Sequence, residues 1–212
     1  MNQNKIIIEF KDNEIILDKK LSINDEQVLD FSGILAKNNI RYVLLSKYIP
    51  ILFGNNGTSE DIDILVQNIS FEKFLKLWLE IENTYECKNT EDPIDAYNAY
   101  LKNHHVVRIA KKENQIPEFR IKIIKNEIDR FTLKYRKKVI LGDRNLFISP
   151  FEMQIPSNLS RGSPKDIDEA RFLYKLSKEK LNMTLLERFL SELNIPKESF
   201  DMFLTEPEIS RL

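Results

Sequence analysis

A chain of 212 residues with 42% hydrophobic content is long enough to bury a real core, as one ordinary domain or two small ones. Its formal net charge is only -1, no apolar run approaches the roughly 20 residues of a membrane span, and the opening Met-Asn-Gln-Asn-Lys-Ile-Ile-Ile-Glu lacks the shape of a signal peptide, so a soluble cytoplasmic protein is expected. The single cysteine, Cys87, excludes an intrachain disulfide and a cysteine zinc cluster, and reads as a packed small apolar residue rather than a nucleophile.

Taken in chain order, Ile6 to Phe10 and Glu14 to Leu17 form an opening hairpin around Lys11-Asp12-Asn13. An amphipathic helix follows from a cap at Asn24, with Val28, Leu29, Phe31, Ile34 and Leu35 as its stripe and Asn38-Asn39 as its end. Arg41 to Ser46 is a short strand leading through Lys47 into a short helix over Tyr48 to Gly54, and a second strand begins at Asp61. Phe71 to Asn83 is helical with one broad apolar face, and Pro93 to Leu101 is read as helix. Alternation over His104 to Ala110 and Glu118 to Ile124 predicts two strands of a hairpin, with His104 and His105 on opposite faces; a histidine zinc site or a Ser-His-Asp triad is therefore not expected. Ile128 to Arg136 is helical, and two short strands flank the turn Gly142-Asp143-Arg144-Asn145. From Pro150 onward every segment is helical: Phe151 to Leu159, Lys165 to Lys178, Leu185 to Leu193 and Lys197 to Leu204. The expected organisation is an α/β (α+β) core over residues 1–149, with a mixed sheet and flanking helices, and a helical part over residues 150–212.

The tripeptide Asp61-Ile62-Asp63 is the most informative local pattern. Two aspartates at i and i+2 of a strand share one face and repel each other, by roughly 1 kcal/mol at about 4 Å in water and roughly 4 at an effective dielectric near 20. A cation relieves that repulsion, and hard carboxylate oxygens suit Mg²⁺ or Mn²⁺. The same tripeptide at Asp166-Ile167-Asp168 serves as a control. It lies in a helical pattern, where residues two apart point to nearly opposite sides and cannot chelate one ion. Charge is also uneven along the chain. Thirteen basic against five acidic residues between Lys102 and Arg144 leave +8 there and -9 elsewhere, which suits either polyphosphate steering or a solvated surface.

Ser46-Lys47-Tyr48-Ile-Pro-Ile-Leu-Phe-Gly54, then Thr58-Ser59-Glu60-Asp61-Ile62-Asp63-Ile64-Leu65-Val66, resembles the core of the nucleotidyltransferase superfamily. Ile148-Ser149-Pro150-Phe151-Glu152-Met153-Gln154-Ile155 and Ser163-Pro164-Lys165-Asp166-Ile167-Asp168-Glu169-Ala170 are similar to the helical region of minimal and abortive-infection (AbiEii-type) toxin nucleotidyltransferases. The resemblance covers residues 24 to 178 and implies a nucleotidyltransferase-like fold. It implies transfer of an NMP from an NTP to a hydroxyl of RNA, protein or a small molecule, in a toxin-antitoxin or defence setting. Asp61 and Asp63 would hold Mg²⁺ or Mn²⁺, Ser46, Lys47 and Thr58 would line the nucleotide turn, and Lys165 would contact phosphate or base. Two departures matter. Lys47 stands where the family has glycine, and the strand expected to carry a third carboxylate is Glu118-Phe-Arg-Ile-Lys-Ile-Ile124, whose one face holds Glu118, Arg120 and Lys122. Glu118 is the candidate third acid; Arg120 and Lys122 either meet nucleotide phosphate or neutralise the aspartates, the latter giving a non-catalytic nucleotide- or nucleic-acid-binding protein.

Overall fold

Among the described residues nine strands hydrogen-bond into one mixed sheet in the order β1-β2-β8-β9-β3-β4-β7-β6-β5. They are β1 (Ile7–Lys11), β2 (Glu14–Asp18), β3 (Tyr42–Leu45), β4 (Asp61–Val66), β5 (Tyr85–Cys87), β6 (Val107–Lys111), β7 (Glu118–Ile123), β8 (Lys137–Leu141) and β9 (Arg144–Ile148). The computed structural model describes residues 6–12, 14–45 and 47–205; Ser46 and Asn13, each part of an expected turn, lie outside the described residues. The chain divides into two compact units, Met1–Pro150 and Phe151–Leu212. The fold class is the expected mixed α/β.

Hairpins β1–β2, β8–β9 and β6–β7 are antiparallel, whereas β2–β8, β3–β9 and β4–β7 are parallel. β4 lies inside the sheet, antiparallel to β3 and parallel to β7. Ile62, Ile64 and Val66 are buried on one of its faces, as the period of two requires. On that face Phe31 of α1 (Ile23–Lys37) stacks flat on Phe119 of β7, with ring centroids 4.2 Å apart, and Tyr85 closes on Phe31 edge-to-face at 5.3 Å. Aromatic pairs of this geometry add about 0.5–1.5 kcal/mol beyond the area they bury. The opposite face is covered toward the far end of β4 by Leu133 of α5 (Glu127–Lys134), packed with Val43 and Leu65.

The cap of α1 is Ser22, not Asn24. Ser22 Oγ accepts from the Asp25 N–H while the Asp25 carboxylate accepts from the Ser22 N–H, a reciprocal box that satisfies two otherwise unpaired donors. Asn24 instead donates to the Ser59 carbonyl in the loop before β4. Residues 93–103 wind through three kinds of turn, α over Pro93–Asp95, π over Ala96–Tyr100 and 3-10 over Leu101–Asn103. Asn103 bonds back to the carbonyls of Asn98 and Ala99, in competition with the helical ladder. His104 then adopts a left-handed conformation at φ 61° in an exposed turn, His105 lies exposed just after it, and β6 begins only at Val107; the expected placement of His104 and His105 on a strand does not hold.

A buried ionic cluster ties the start of α1 to α2 (Tyr48–Leu52). Asp25, 1% exposed, accepts from Tyr48 Oη at 2.8 Å and pairs with Lys19 Nζ at 2.9 Å, and the same ammonium donates to the Leu52 carbonyl. Burial pushes the Asp25 carboxyl up, but its hydrogen bonds from Ser22 and the charge of Lys19 outweigh that and hold it below its ordinary value. Burial and the neighbouring Asp25 push the Tyr48 phenol well up.

The second unit comprises α6 (Phe151–Arg161), α7 (Pro164–Ser177), α8 (Met183–Glu192) and α9 (Lys197–Thr205). Tyr174, Phe200 and Phe203 form an aromatic cluster there. The second Asp-Ile-Asp separates as its helical setting requires: Asp166 is buried against Arg161 and the cap Ser163, while Asp168 is exposed.

Two outcomes are expected from the Asp25 cluster. Asp25→Asn removes the partner of a nearly buried ammonium, and chemical denaturation is expected to show a loss of about 3–5 kcal/mol. Because the folded carboxyl lies below its unfolded value near 3.9, its contribution is present above that value and is lost as pH falls through the folded one; an acid titration of Asp25→Asn is expected to lack this component.

Candidate functional site

The site forms where β4 and β7 begin. In their parallel register Asp61 stands beside Glu118, Asp63 beside Arg120 and Leu65 beside Lys122, so all six side chains share one face. Ser59 and Glu60 fix the entry. Ser59, buried, donates its hydroxyl to the Asp61 carbonyl at 2.6 Å, and the Glu118 N–H donates to the Glu60 carbonyl at 2.7 Å, which extends the ladder one step beyond the strand. The antiparallel partner of Asp63 on the other side is Leu45, two residues before Lys47. Lys47 is therefore at the same end of the sheet.

The two aspartates converge, and one cation already lies between them. Arg120 Nη1 is 3.2 Å from Asp61 Oδ2 and its Nε is 3.5 Å from Asp63 Oδ1. Glu118 is engaged separately: Arg108 of β6 clasps both its oxygens, Nε to Oε1 at 2.7 Å and Nη2 to Oε2 at 2.8 Å. The Glu118 carboxylate, with a smaller contribution from Asp61, holds the Arg108 guanidinium above its ordinary pKa. Arg108 and Arg120 are direct cross-strand neighbours in the β6–β7 register. Their like charges are tolerated because each guanidinium leans on carboxylates. Three carboxylates and two guanidiniums thus alternate across three strands.

This arrangement does not fit a two-ion centre. Asp61 and Asp63 have the hard oxygens such an ion takes, but the space between them holds the Arg120 guanidinium, and the third acid spends both oxygens on Arg108. Among the described residues no three His, Cys, Asp or Glu side chains stand close enough to share an ion. The Arg120 pairs are nonetheless weak. Their side chains are 38%, 53% and 29% exposed for Arg120, Asp61 and Asp63, and exposed pairs contribute about 0–1 kcal/mol each.

The other expected site residues are scattered in their placement. Lys122 is half-buried one strand step deeper than Arg120, beside Leu65. Lys47 is exposed at φ -63° and ψ -25°, an α conformation open to any L-residue, so nothing in the backbone at this position demands glycine. The glycine requirement falls later, at Gly54, where φ is +100° and a Cβ would meet Ile6 Cδ1 at 2.7 Å. α2 is only five residues long, too short to present much of a dipole to phosphate. Thr58 is exposed in the loop before β4, and Ser46 lies outside the described residues. Lys165 is exposed at the second residue of α7 and belongs to the helical unit.

Arg108 and Ser59 are site residues to which the sequence assigns no role. The signal for Arg108 was available: Val107 and Ile109 are buried, so alternation sends Arg108 to the polar face it shares with Glu118 and Arg120.

No protein-family profile matches the chain, and no curated protein aligns significantly with it. Among solved structures, the fold is similar to that of an antigenic nucleotidyltransferase-like protein from Paracoccidioides brasiliensis, with a TM-score of 0.52 over 84% of this chain and 90% of that one, at 12% sequence identity. The fold is therefore nucleotidyltransferase-like. Among the described residues no helix is long and apolar enough to cross a membrane.

If Arg120 is the counter-ion of the aspartate pair, removing it should create an affinity for a divalent ion. Arg120→Ala is expected to make the thermal midpoint respond to Mg²⁺, rising about 3–6 °C when the ion is about tenfold above its dissociation constant, while the unaltered chain stays within error. A melting series with and without Mg²⁺ checks this.

Proposed function

We propose that this chain is a non-catalytic member of the nucleotidyltransferase-like fold, which binds nucleotide or nucleic-acid phosphate and does not transfer a nucleotidyl group. The observation that carries this reading is Arg120, which reaches both aspartates while Arg108 occupies the third acid. A guanidinium between two carboxylates does with one fixed charge what a bound ion does elsewhere, but it offers no open coordination position for a reacting group. Phosphate binding would fall to the cations at the strand mouth: Lys47, Lys122 and the donors of Arg108 and Arg120 left over from their acid partners.

A second reading is favoured by one specific feature, the convergence of Asp61 and Asp63 with Glu118 in register beside them. In that reading the chain moves an NMP from an NTP to a hydroxyl of RNA, protein or a small molecule, with Mg²⁺ or Mn²⁺ displacing Arg120, in a toxin-antitoxin or defence setting. The weakness of the exposed Arg120 pairs is what gives it room.

The two readings part on direct measurement. Incubation with labelled NTPs, Mg²⁺ or Mn²⁺, and total RNA or lysate is expected to move no label to any acceptor. Calorimetry is expected to show NTP binding of similar strength with and without Mg²⁺, weakened about 3–30-fold by Arg108→Ala, the loss of one charge-assisted hydrogen-bonding group. Label transfer that Asp61→Asn abolishes would replace the first reading with the second.

A further inference from the structure

The strand mouth uses one end of β3 and β4. At the other end the same strands border two hollows that meet at Asn39 and Gln67. The first, about 370 Å³, is lined by Arg41, Tyr42, Arg136 and Phe147 together with those two residues. The second, about 500 Å³, runs along the start of α3 (Phe71–Ile81), past Ser70, Lys73 and Lys76.

The charges here are arranged differently from those at the mouth. Arg41 and Arg136 sit close enough to oppose each other, and neither pairs with a carboxylate among the described residues. Arg136 is fixed. Its guanidinium carbon lies 4.0 Å from the centre of the Phe147 ring, and its Nη1 donates to the Tyr42 carbonyl at 2.8 Å. Partial burial and the charge of Arg41 both work against its protonated form, a cost that a bound anion would relieve. In the second hollow Lys73 is steered by a bond to the Asn39 carbonyl, and Lys76 projects into solvent one turn on. Glu72 is the one acid that lines either hollow; the nearby Glu80 is hydrogen-bonded by Lys37 and Asn38 and lies within electrostatic reach of Lys76.

A planar guanidinium stacked on an aromatic ring, followed by amide side chains and then by lysines at a helix start, offers one stacking platform and cations along a continuous track. That is the combination single strands require: phosphates tracked by cations, and an unstacked base received on an aromatic or guanidinium plane. A duplex keeps its bases stacked inside, beyond reach of a platform recessed in a hollow. We propose that this groove binds a single-stranded nucleic acid, with Arg41, Lys73 and Lys76 on phosphates and a base on the Arg136–Phe147 stack. The groove shares no residue with the strand-mouth cluster, so it stands or falls independently of how that cluster is read.

The test is fluorescence anisotropy of the full chain with labelled oligouridylate, oligothymidylate and a duplex of equal length, over a series of salt concentrations. The single strands are expected to bind at least about tenfold more tightly than the duplex, with an affinity that falls steeply with salt. Arg41→Ala and Lys76→Ala alter exposed side chains and should leave the fold intact. Each is expected to weaken binding about 3–10-fold and to reduce the slope of log K against log salt by about 0.7. Phe147→Leu is expected to weaken binding about tenfold with the slope unchanged, and Arg130→Ala, an exposed cation elsewhere, is expected to change nothing. Absence of binding at low salt, equal affinity for the duplex, or a wild-type titration from the Arg41→Ala/Lys76→Ala double variant would overturn the proposal.

Discussion

The parallel register of β4 on β7 is the constraint from which the character of the strand mouth follows. Six consecutive residue pairs hold it, from Asp61 beside Glu118 to Val66 beside Ile123, with Ile62, Ile64, Phe119 and Ile121 buried on the face toward α1. A slip of one residue would turn Phe119 and Ile121 outward and drive Glu118 and Arg120 into the core, so the apolar face locks the polar one. Each acid–base pairing at the mouth is thereby dictated by packing on the far side of the sheet. The Phe31–Phe119 stack contributes to the position of Arg120 without touching it.

Much of this was legible in the residues. The alternation of Asp61 to Val66 and of Glu118 to Ile123 gave the strands and their faces, and the helical setting of Asp166-Ile167-Asp168 correctly separated that copy from the one on a strand. The pairing of the strands was not legible. Nothing local distinguishes β7 beside β4 from β7 beside any other strand, and that adjacency decides whether Arg120 meets carboxylates or solvent. His104 and His105 leave the strand for another reason: polar Asn103 bonds back along its own turn, a competition that alternation of polar and apolar residues does not reveal. Asn24 and Ser22 are both good cap residues two positions apart, and only the reciprocal bond from Asp25 separates them.

The electrostatics of the first unit has two poles. At the mouth, carboxylates and guanidiniums neutralise each other pair by pair, with a surplus of one acid. At the opposite end, arginines and lysines line hollows in which Glu72 is the one acid. The excess of positive charge between Lys102 and Arg144 does not make a uniform basic face: Arg108 and Arg120 share their charge with acids and keep only part of their donors, Lys138 pairs with Glu14, and Arg144 with Glu26 and Asp30. Arg136, from the same stretch, is held on Phe147 instead. Net charge along a sequence therefore says little about where an anion would settle, because the fold decides which cations keep their charge available.

The sheet has a seam. Among the described residues β9 and β3 share a single bridging pair, Leu44 with Ile148, supplemented by the Ser149 N–H to the Leu44 carbonyl, so β1, β2, β8 and β9 form a panel that these residues join to the remaining strands along a short line. α1 crosses that line as a splint. Its Glu26 and Asp30 grip Arg144 of β9 at 2.8 and 2.7 Å, and Asp30 faces Lys111 of β6, on the other panel, at 3.8 Å. The splint is fastened partly by these half-exposed charges, which mobile ions weaken, and partly by the buried Val28, Phe31 and Leu35 of the same helix, which they do not. Rising salt therefore removes the ionic share of the hold across the middle of the sheet and leaves in place its apolar share and the burial within each half.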